Sequence, residues 1–423
     1  MTGSPYDGLD ARAYWRTGVA TRGPGRLRGL YDPRVVIGPQ TRVLTAGSCF
    51  AQHVHRALLV AGFAVIDTEP APDGVDPEVA RRFFYGSFSA RYGNVYTARQ
   101  FRQLLDEAAG THTPAHPVWS RAGRFYDALR PNTDPGGYAS AAAVGAARAD
   151  HLAAVAQAVA QADVVIFTLG LTETWEDRAT GTVYPTAPGV IADAPDGAEI
   201  GFVALGHDAV VSDMRAALAR LRAINPAVQL ILTVSPVPLT ATATGGHVLV
   251  ASSASKAILR AAVETLMADD AGIDYFPSYE IITNPAARSA FFGPNLRNPT
   301  PKGVSVVMGQ FLAAQQAAQA AGALIAPKVA ATGQPKAVVT DADEDNAAIC
   351  EEQMNDPGQK VAARTSGSVK ASSGAKASAT ASPGRKGTGE PTTKPAAKPA
   401  ARATSSSRSR STAKPASSPT RRG

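Results

Sequence analysis

The stretch RVLTAGSCFAQHVHRALLVAGF, residues 42–63, decides the fold class of this 423-residue chain. It begins with a short apolar run that predicts a buried strand, and it ends with apolar residues at helical spacing that stop at Gly62. A strand followed directly by a helix is the unit from which parallel α/β sheets are built. Between the two lies Gly47-Ser48-Cys49. Ser48 is therefore either a nucleophile at the start of the helix or only the cap of that helix.

Apolar runs continue to alternate with amphipathic segments as far as about residue 326. This alternation predicts an α/β fold, specifically a three-layer α/β/α sandwich with a mainly parallel five-stranded sheet. The five predicted strands are RVLTAG (42–47), FAVID (63–67), DVVIFTLG (163–170), VQLILTVSPVPL (228–239) and IDYFPSYEII (273–282).

Composition divides the chain into three parts. Residues 1–40 are rich in Gly, Pro and Arg and predict an N-terminal arm, and residues 41–326 form the predicted domain. Residues 327–423 are a low-complexity tail, acidic and then basic, which has no bulky aliphatic or aromatic residue after Val369 and is predicted to be disordered. From residue 358 onward there are 14 Lys/Arg against one acid, so the net charge of +7 is made of +13 in this part and −6 in the rest.

Several classes of protein are disfavoured by the sequence. Two cysteines, Cys49 and Cys350, cannot build a disulfide framework, and their spacing is not that of a zinc site. The N-terminus lacks the features of a signal peptide, and no uncharged apolar run is long enough to span a membrane, so a cytoplasmic location is expected. No P-loop or GxGxxG motif follows a strand, and no metal or cofactor is predicted.

Seven motifs follow one another within about residues 42–315. They are GSCFAQH (47–53), YGNVYTARQ (92–100), GRFYDALRP (123–131), LGLTETW (169–175), SPVPLTAT (235–242), HVLVASSASKAILRA (247–261) and YFPSYEII (275–282). Together they resemble the GSCFA domain family. That resemblance implies an SGNH/GDSL-hydrolase-like α/β fold, in a family proposed to include esterases or acyltransferases that modify polysaccharides.

The resemblance assigns roles to residues that follow the predicted strands. Ser48 takes the position of the nucleophile, with its own backbone N–H as an oxyanion donor beside Gly47, and Cys49 is a rival nucleophile or a small buried residue. Gly170 and Thr172 stand where the superfamily has its Gly-x-Asn-Asp block, so a hydroxyl replaces the usual amide. Asn94 is a candidate for supplying the missing amide donor, or it only satisfies a local turn.

The superfamily's late Asp-x-x-His pair is missing. Asn295 and Asn298 stand where the acid and the histidine are expected, and neither asparagine can act as a general base. His247 is the substitute base that the sequence offers, oriented by Glu173 or Asp177, although it is equally well a loop residue that binds backbone. His53 and His55 on the first helix are expected to be structural.

Two further features bear on partners. Trp175, with the acidic residues around it, could stack on a sugar ring, so the expected substrate is a carbohydrate or an acyl ester. The basic tail suggests nonspecific contact with polyanions, or it only keeps the protein in solution.

The main hypothesis is thus a serine acyl-ester hydrolase or acyltransferase, and the alternative is a catalytically degenerate binding module on the same fold. A nucleic-acid-binding protein is disfavoured by the negative charge of the body.

Overall fold

A computed structural model describes residues 3–322 together with residues 348, 350, 353 and 354. The rest of the predicted disordered tail lies outside the described residues. The strands are β1 Val43–Gly47, β2 Val118–Arg121, β3 Arg124–Asp127, β4 Val164–Leu169, β5 Glu173–Asp177, β6 Val183–Tyr184, β7 Ile200–Ala204, β8 Gln229–Val234 and β9 Ile273–Tyr275. The helices are α1 Phe50–Val60, α2 Pro77–Arg82, α3 Ala98–Ala108, α4 Ala141–Gln161, α5 His207–Ile224, α6 Val248–Asp269, α7 Ser278–Thr283 and α8 Pro301–Ala320.

The α/β prediction is confirmed, with a four-stranded parallel sheet in the order β1-β4-β8-β9. The second of the five predicted strands, 63–67, is reduced to one parallel bridge between Val43 and Val65. Two hydrogen bonds hold it there, from Val43 N to Ala64 O and from Ile66 N to Val43 O, each 2.9 Å. Beyond Ile66 the chain leaves the edge of β1, because Thr68 N donates instead to Ser89 O at 3.0 Å.

The two faces of this sheet are buried in two different apolar clusters. On β4, Val165, Phe167 and Leu169 belong to one cluster, which includes residues of α3, α4, α5 and α6. Val164 and Ile166 belong to the other, which includes residues of α1, α7 and α8. A strand buried on both faces needs a continuous apolar run, which is why β1, β4 and β8 could be predicted from the sequence.

Two small antiparallel sheets were not predicted. One is the hairpin β2–β3, whose turn residues Ala122 and Gly123 both have positive φ, at 50° and 74°. This is the signature of the tight turns that join twisted antiparallel strands. The other has the order β6-β5-β7, and its central strand β5 contains Trp175 and the acidic residues around it.

Part of the predicted N-terminal arm packs against the domain. Tyr31, Val35 and Ile37 are buried in the same cluster as α8. The Tyr31 hydroxyl donates to Asp274 Oδ2 at 2.7 Å, and Ile37 N donates to Gln315 Oε1 at 2.9 Å. Within the described residues, no helix has both the length and the apolar character that a membrane crossing requires.

Candidate active site at the carboxyl ends of β1 and β4

Ser48 lies at the turn between β1 and α1, as the sequence predicted. Its side chain is only 1% exposed, and its Oγ is buried without a hydrogen-bond partner. The N-cap position of α1 belongs to Cys49, whose side chain makes no capping bond. Ser48 therefore does not cap the helix. An unpaired buried hydroxyl costs about 1–3 kcal/mol, and such groups are uncommon enough in folded proteins to require an explanation.

Close backbone packing brings β4 against this turn. Gly47 has φ of 133°, and a Cβ at this position would lie 2.5 Å from Thr168 O. Ser48 N donates to the same Thr168 oxygen at 3.0 Å. The Ser48 amide, which the sequence nominated as an oxyanion donor, is thus engaged in this structure. Of the amides that begin α1, Ala51 N donates to Ser48 O at 2.8 Å and Gln52 N donates to Cys49 O at 3.2 Å. The Phe50 amide is therefore the candidate donor at this helix N-terminus.

Asn94 lies beside the turn on a segment that is tied to it by the backbone. Val95 N donates to Gly47 O at 2.8 Å, which attaches this segment to the end of β1. Asn94 is 2% exposed, and its Oδ1 accepts a hydrogen bond from Gln52 Nε2 at 3.0 Å. This bond orients the amide so that its nitrogen, the donor, is directed away from Gln52. Gln52, on the first turn of α1, is a site residue that the sequence analysis missed.

Gly170 and Thr172 follow β4 on the other side of Ser48. A Cβ at position 170 would come within 2.7 Å of Ser48 Cβ, so these two residues are immediate neighbours. Gly170 N donates to Tyr96 O at 2.9 Å. Thr172 is buried, and its amide donates to Ser255 Oγ at 3.0 Å. The structure therefore brings together the predicted residues that follow β1 and β4.

Lys256 of α6 is a second residue that the sequence analysis missed. It is 4% exposed, and its Nζ donates to the carbonyl oxygen of Gly170, the immediate neighbour of Ser48. Lys256 lies on the buried face of α6, together with Ser252, Ser255 and Leu259. Its spacing from these residues is the only feature of the sequence that could have indicated its burial. A lysine at a core position of an amphipathic helix is rarely buried unless it is paired.

His247 lies at the N-terminus of α6, where it caps the helix. Its Nδ1 accepts a hydrogen bond from Leu249 N at 3.1 Å. Neither Ser48 Oγ nor Glu173 is bonded to His247, because Ser48 Oγ has no partner and Glu173 accepts from Thr242 Oγ1 at 2.7 Å and from Ala243 N at 3.4 Å. A neutral imidazole that accepts at Nδ1 carries its proton on Nε2, so in this arrangement His247 has no free lone pair with which to act as a base.

The remaining predicted residues are dispersed. Trp175 packs edge-on against Phe202, with ring centroids 5.8 Å apart, inside the small sheet β6-β5-β7. Asp177 is buried and accepts from Thr180 Oγ1 at 2.8 Å. Asn295 Oδ1 accepts from the amides of Arg297 and Asn298, each at 3.0 Å, and so forms a local turn.

Neither His53 nor His55 is hydrogen-bonded to the Ser48 hydroxyl. His55 is 1% exposed, and its Nδ1 is 2.7 Å from Thr45 Oγ1. Burial, with a smaller contribution from Arg56, lowers the pKa of His55 to about 4, so its ring is neutral at pH 7. The same causes lower the pKa of His53 to about 4.

Cys49 is in contact with a cysteine from far along the chain. The Cys350 Sγ lies 3.5 Å from the Tyr96 hydroxyl and 3.4 Å from Arg297 Nη2, and it forms a hydrogen bond with the Cys49 side chain. Neither cysteine is in a disulfide, and both are buried. The hydrogen bond with Cys49 and the charge of Arg297 lower the pKa of the Cys350 thiol against the opposite effect of its burial.

No set of three or more His, Cys, Asp or Glu side chains suited to holding a metal ion occurs in the part of the chain that the structure describes. The groups that surround Ser48 are instead amide, hydroxyl, thiol and cationic side chains. Such groups can bind the carbonyl oxygen and the developing negative charge of an acyl ester.

Comparison with known proteins identifies one family. The profile of the GSCFA family matches residues 42–311. No curated protein sequence matches the chain.

Three solved structures are similar to parts of the chain. A carbohydrate esterase of family 3 from Talaromyces cellulolyticus is 12% identical, with a TM-score of 0.33 over 67% of this chain and all of the other. A mutant acetyl esterase with an acetate ion is 13% identical, with a TM-score of 0.29 over 67% of this chain and 99% of the other. An acetyl xylan esterase from the rumen bacterium Butyrivibrio proteoclasticus is 15% identical, with a TM-score of 0.25 over 68% and 66% of the two chains.

Proposed function

Since the chain belongs to the GSCFA family, we propose that it is an acyl-ester hydrolase or acyltransferase of the SGNH type. Its substrate is a carbohydrate-like acyl ester, and Ser48 is its nucleophile. The finer description of the fold, a three-layer SGNH-hydrolase-like sandwich, is part of the same proposal.

One observation carries the proposal: the Ser48 hydroxyl is buried at a strand-to-helix turn and has no structural use. It neither caps α1 nor binds any neighbour. A serine kept for stability would satisfy its Oγ, since an unpaired buried hydroxyl is destabilising. A hydroxyl held at the N-terminus of a helix is placed where the helix dipole favours the negative charge that develops when oxygen attacks an acyl carbon.

The groups around Ser48 support the same chemistry. In the proposed reaction, Ser48 Oγ bonds to the acyl carbon, and the carbonyl oxygen becomes an oxyanion. The Phe50 amide, at the N-terminus of α1, and the Asn94 side chain would donate to that oxygen. The buried ammonium of Lys256, bonded to Gly170 O, adds positive charge beside it. The alcohol leaves, and water or a second hydroxyl then takes the acyl group.

The proton of Ser48 needs an acceptor, and the sequence nominates His247. In the described arrangement His247 caps α6, and its neutral ring presents Nε2–H rather than a lone pair. For His247 to serve as the base, it must leave the cap and turn toward Ser48.

The alternative function is a catalytically degenerate module that binds a carbohydrate or a partner. The observation in its favour is that no imidazole of the described residues is bonded to Ser48 Oγ. A binder on this fold would use the same edge of the sheet with no covalent step.

Labelling with a fluorophosphonate distinguishes the two functions, because the probe forms a bond only with an activated serine. We expect the reduced full-length protein to be labelled at Ser48, and the Ser48→Ala variant to show no labelling above background. Absence of labelling in the wild type, with correct folding by circular dichroism, would overturn the proposed activity and favour the binder. Peptide mapping of the labelled protein identifies the modified residue, which also tests Cys49 as the rival nucleophile.

A further inference from the structure

The chain turns beside Ser48 directly after β4, at residues 170–172, which we call the Gly170 turn. A Cβ at position 170 would lie 2.7 Å from Ser48 Cβ, so the turn is in direct contact with the proposed nucleophile. Glycine can adopt more backbone conformations than other residues, and its place is therefore fixed by the partners of its backbone groups. Whatever holds the Gly170 turn also determines what lies against Ser48.

Backbone groups hold part of the Gly170 turn. The amides of Gly170 and Leu171 both donate to Tyr96 O, at 2.9 and 3.2 Å. At the end of the turn, Leu205 N donates to Thr172 O at 2.8 Å. These bonds do not involve Gly170 O or Thr172 N, and buried backbone groups of this kind require partners of their own.

Two consecutive side chains of α6 supply those partners. Ser255 Oγ accepts from Thr172 N at 3.0 Å, and Lys256 Nζ donates to Gly170 O. The two residues are buried, with 2% and 4% of their surface exposed. Burying an ammonium group is unfavourable unless hydrogen bonds compensate for the lost water, so the bond to Gly170 O helps to explain why a lysine is found here.

Ser252 offers a comparison on the same helix. It lies three residues before Ser255, it is 6% exposed, and its Oγ accepts from Leu239 N at 3.0 Å. Each of the two serines thus provides one acceptor for a backbone amide. Ser252 binds the segment that follows β8, whereas Ser255 binds the turn beside Ser48. A change at Ser252 therefore reports the general effect of losing such a bond.

We propose that Ser255 and Lys256 form a clamp that positions the Gly170 turn against Ser48, which makes them positioning residues for the nucleophile. This inference rests on the proposed function of Ser48. The bond from Lys256 fixes the direction of the Gly170 carbonyl, and the bond to Ser255 fixes the amide two residues later. Without either bond the glycine is free to rotate, and a displacement of about 1 Å near a reacting group can lower a rate about a hundredfold.

The clamp is tested by fluorophosphonate labelling of three full-length variants, Ser255→Ala, Lys256→Met and Ser252→Ala. We expect the rate constant of labelling to fall about tenfold or more in Ser255→Ala and in Lys256→Met. Ser252→Ala should be labelled within about twofold of the wild-type rate, although it loses an equivalent hydrogen bond. A merely structural role would lower the fraction of molecules that become labelled and leave the rate constant of the folded molecules unchanged.

Hydrogen exchange gives a readout that does not depend on catalysis. The amides of Gly170 and Leu171 keep their acceptor, Tyr96 O, in all three variants, so their exchange reports how firmly the turn is held. We expect their exchange, followed by mass spectrometry, to be about tenfold faster or more in Ser255→Ala and Lys256→Met, and unchanged in Ser252→Ala.

The two readouts separate failure of the clamp from failure of the proposed function. If the wild type is not labelled, the proposed function fails, and the exchange pattern alone then supports the clamp or, when it is equal in the three variants, overturns it. If the wild type is labelled, normal labelling of either Ser255→Ala or Lys256→Met overturns the clamp. Slower labelling in Lys256→Met alone would assign the effect to the lysine charge. Equal slowing in all three variants would also overturn the proposal.

Discussion

Gly170 and Ser48 face each other so closely that a Cβ added at position 170 would lie 2.7 Å from the Cβ of Ser48. The same Cβ would be 3.1 Å from Tyr96 O, so the backbone is tight on a second side. Gly170 is therefore required by the approach of β4 to the nucleophile turn. Because Gly170 has no side chain, the Ser48 side chain can occupy its place beside the end of β4.

We expect Gly170→Ala to displace Ser48 and to lower fluorophosphonate labelling at least tenfold. It should also destabilise the fold by about 1–3 kcal/mol, because an added methyl in a packed place forces the backbone to shift. The matched control is Gly145→Ala in α4, where a Cβ would meet nothing within 4 Å. This variant should be slightly more stable than the wild type and be labelled normally. Normal labelling of Gly170→Ala would contradict the close contact.

His247 can be tested as a helix cap against its predicted role as a base. Because its Nδ1 accepts from Leu249 N, His247→Ala should cost about 0.5–1 kcal/mol of the free energy of unfolding. His247→Asn, whose side-chain oxygen can accept the same bond, should recover most of that stability. If His247 only caps α6, both variants are labelled like the wild type.

The pH profile of labelling adds a readout that a cap would not change. If a histidine is the base, labelling requires its neutral form and therefore rises with pH. Loss of labelling in both His247 variants, with loss of that rise, would reinstate His247 as the base and require that the residue leave its cap during the reaction.

A buried ionic network ties α3, β3 and α4 together. Arg148 is 7% exposed, and it donates to Glu107 Oε1 at 2.6 Å and to Asp127 Oδ1 at 3.1 Å. We expect Arg148→Met to lower the free energy of unfolding by about 3–5 kcal/mol, because Glu107 and the buried Asp127 each lose a cationic partner, although Arg130 Nε still donates to Asp127 Oδ2 at 2.8 Å. Urea denaturation measures this change.

The exposed pair Arg42–Asp163 is the matched control for that network. Its side chains are 51% and 41% exposed, and the closest nitrogen and oxygen are 2.6 Å apart. Arg42→Met should cost less than about 1 kcal/mol, because solvent screens exposed ion pairs. Equal losses in the two variants would show that burial of the network does not matter.

The sequence predicted those parts of the molecule whose signal is local. β4 and β8 are continuous apolar runs because both of their faces are buried, and Ser48 and Gly170 follow such runs directly. The failed strand at 63–67 is equally apolar, but whether it joins the sheet depends on where the chain goes after Ile66. Position in the sequence carries no information about that path.

The part of the site that could not be predicted is brought together by tertiary contacts. Lys256 belongs to a helix that reaches Gly170 only through the packing of α6 on the sheet. Cys350 lies about 300 residues from Cys49 and within a segment whose composition indicates disorder. The sequence alone identifies Asn295 as a departure from the pattern of the resembled family. It does not predict that the Asn295 side chain accepts a hydrogen bond from the Arg297 amide in a local turn.

His55 makes stability depend on pH. Its folded-state pKa of about 4, lowered by burial and then by Arg56, lies below the ordinary value of about 6.5 that holds in the unfolded chain. The unfolded state therefore binds a proton first, so the stability that His55 contributes is complete above about pH 6.5 and is lost as the pH falls toward 4. The loss is up to about 3 kcal/mol.

We expect His55→Asn, which cannot titrate and whose side-chain oxygen can still bond to Thr45, to flatten the fall in the free energy of unfolding between pH 6.5 and 4. Urea denaturation at half-unit steps of pH measures it, and equal slopes in the variant and the wild type would show that the buried ring is not the titrating group.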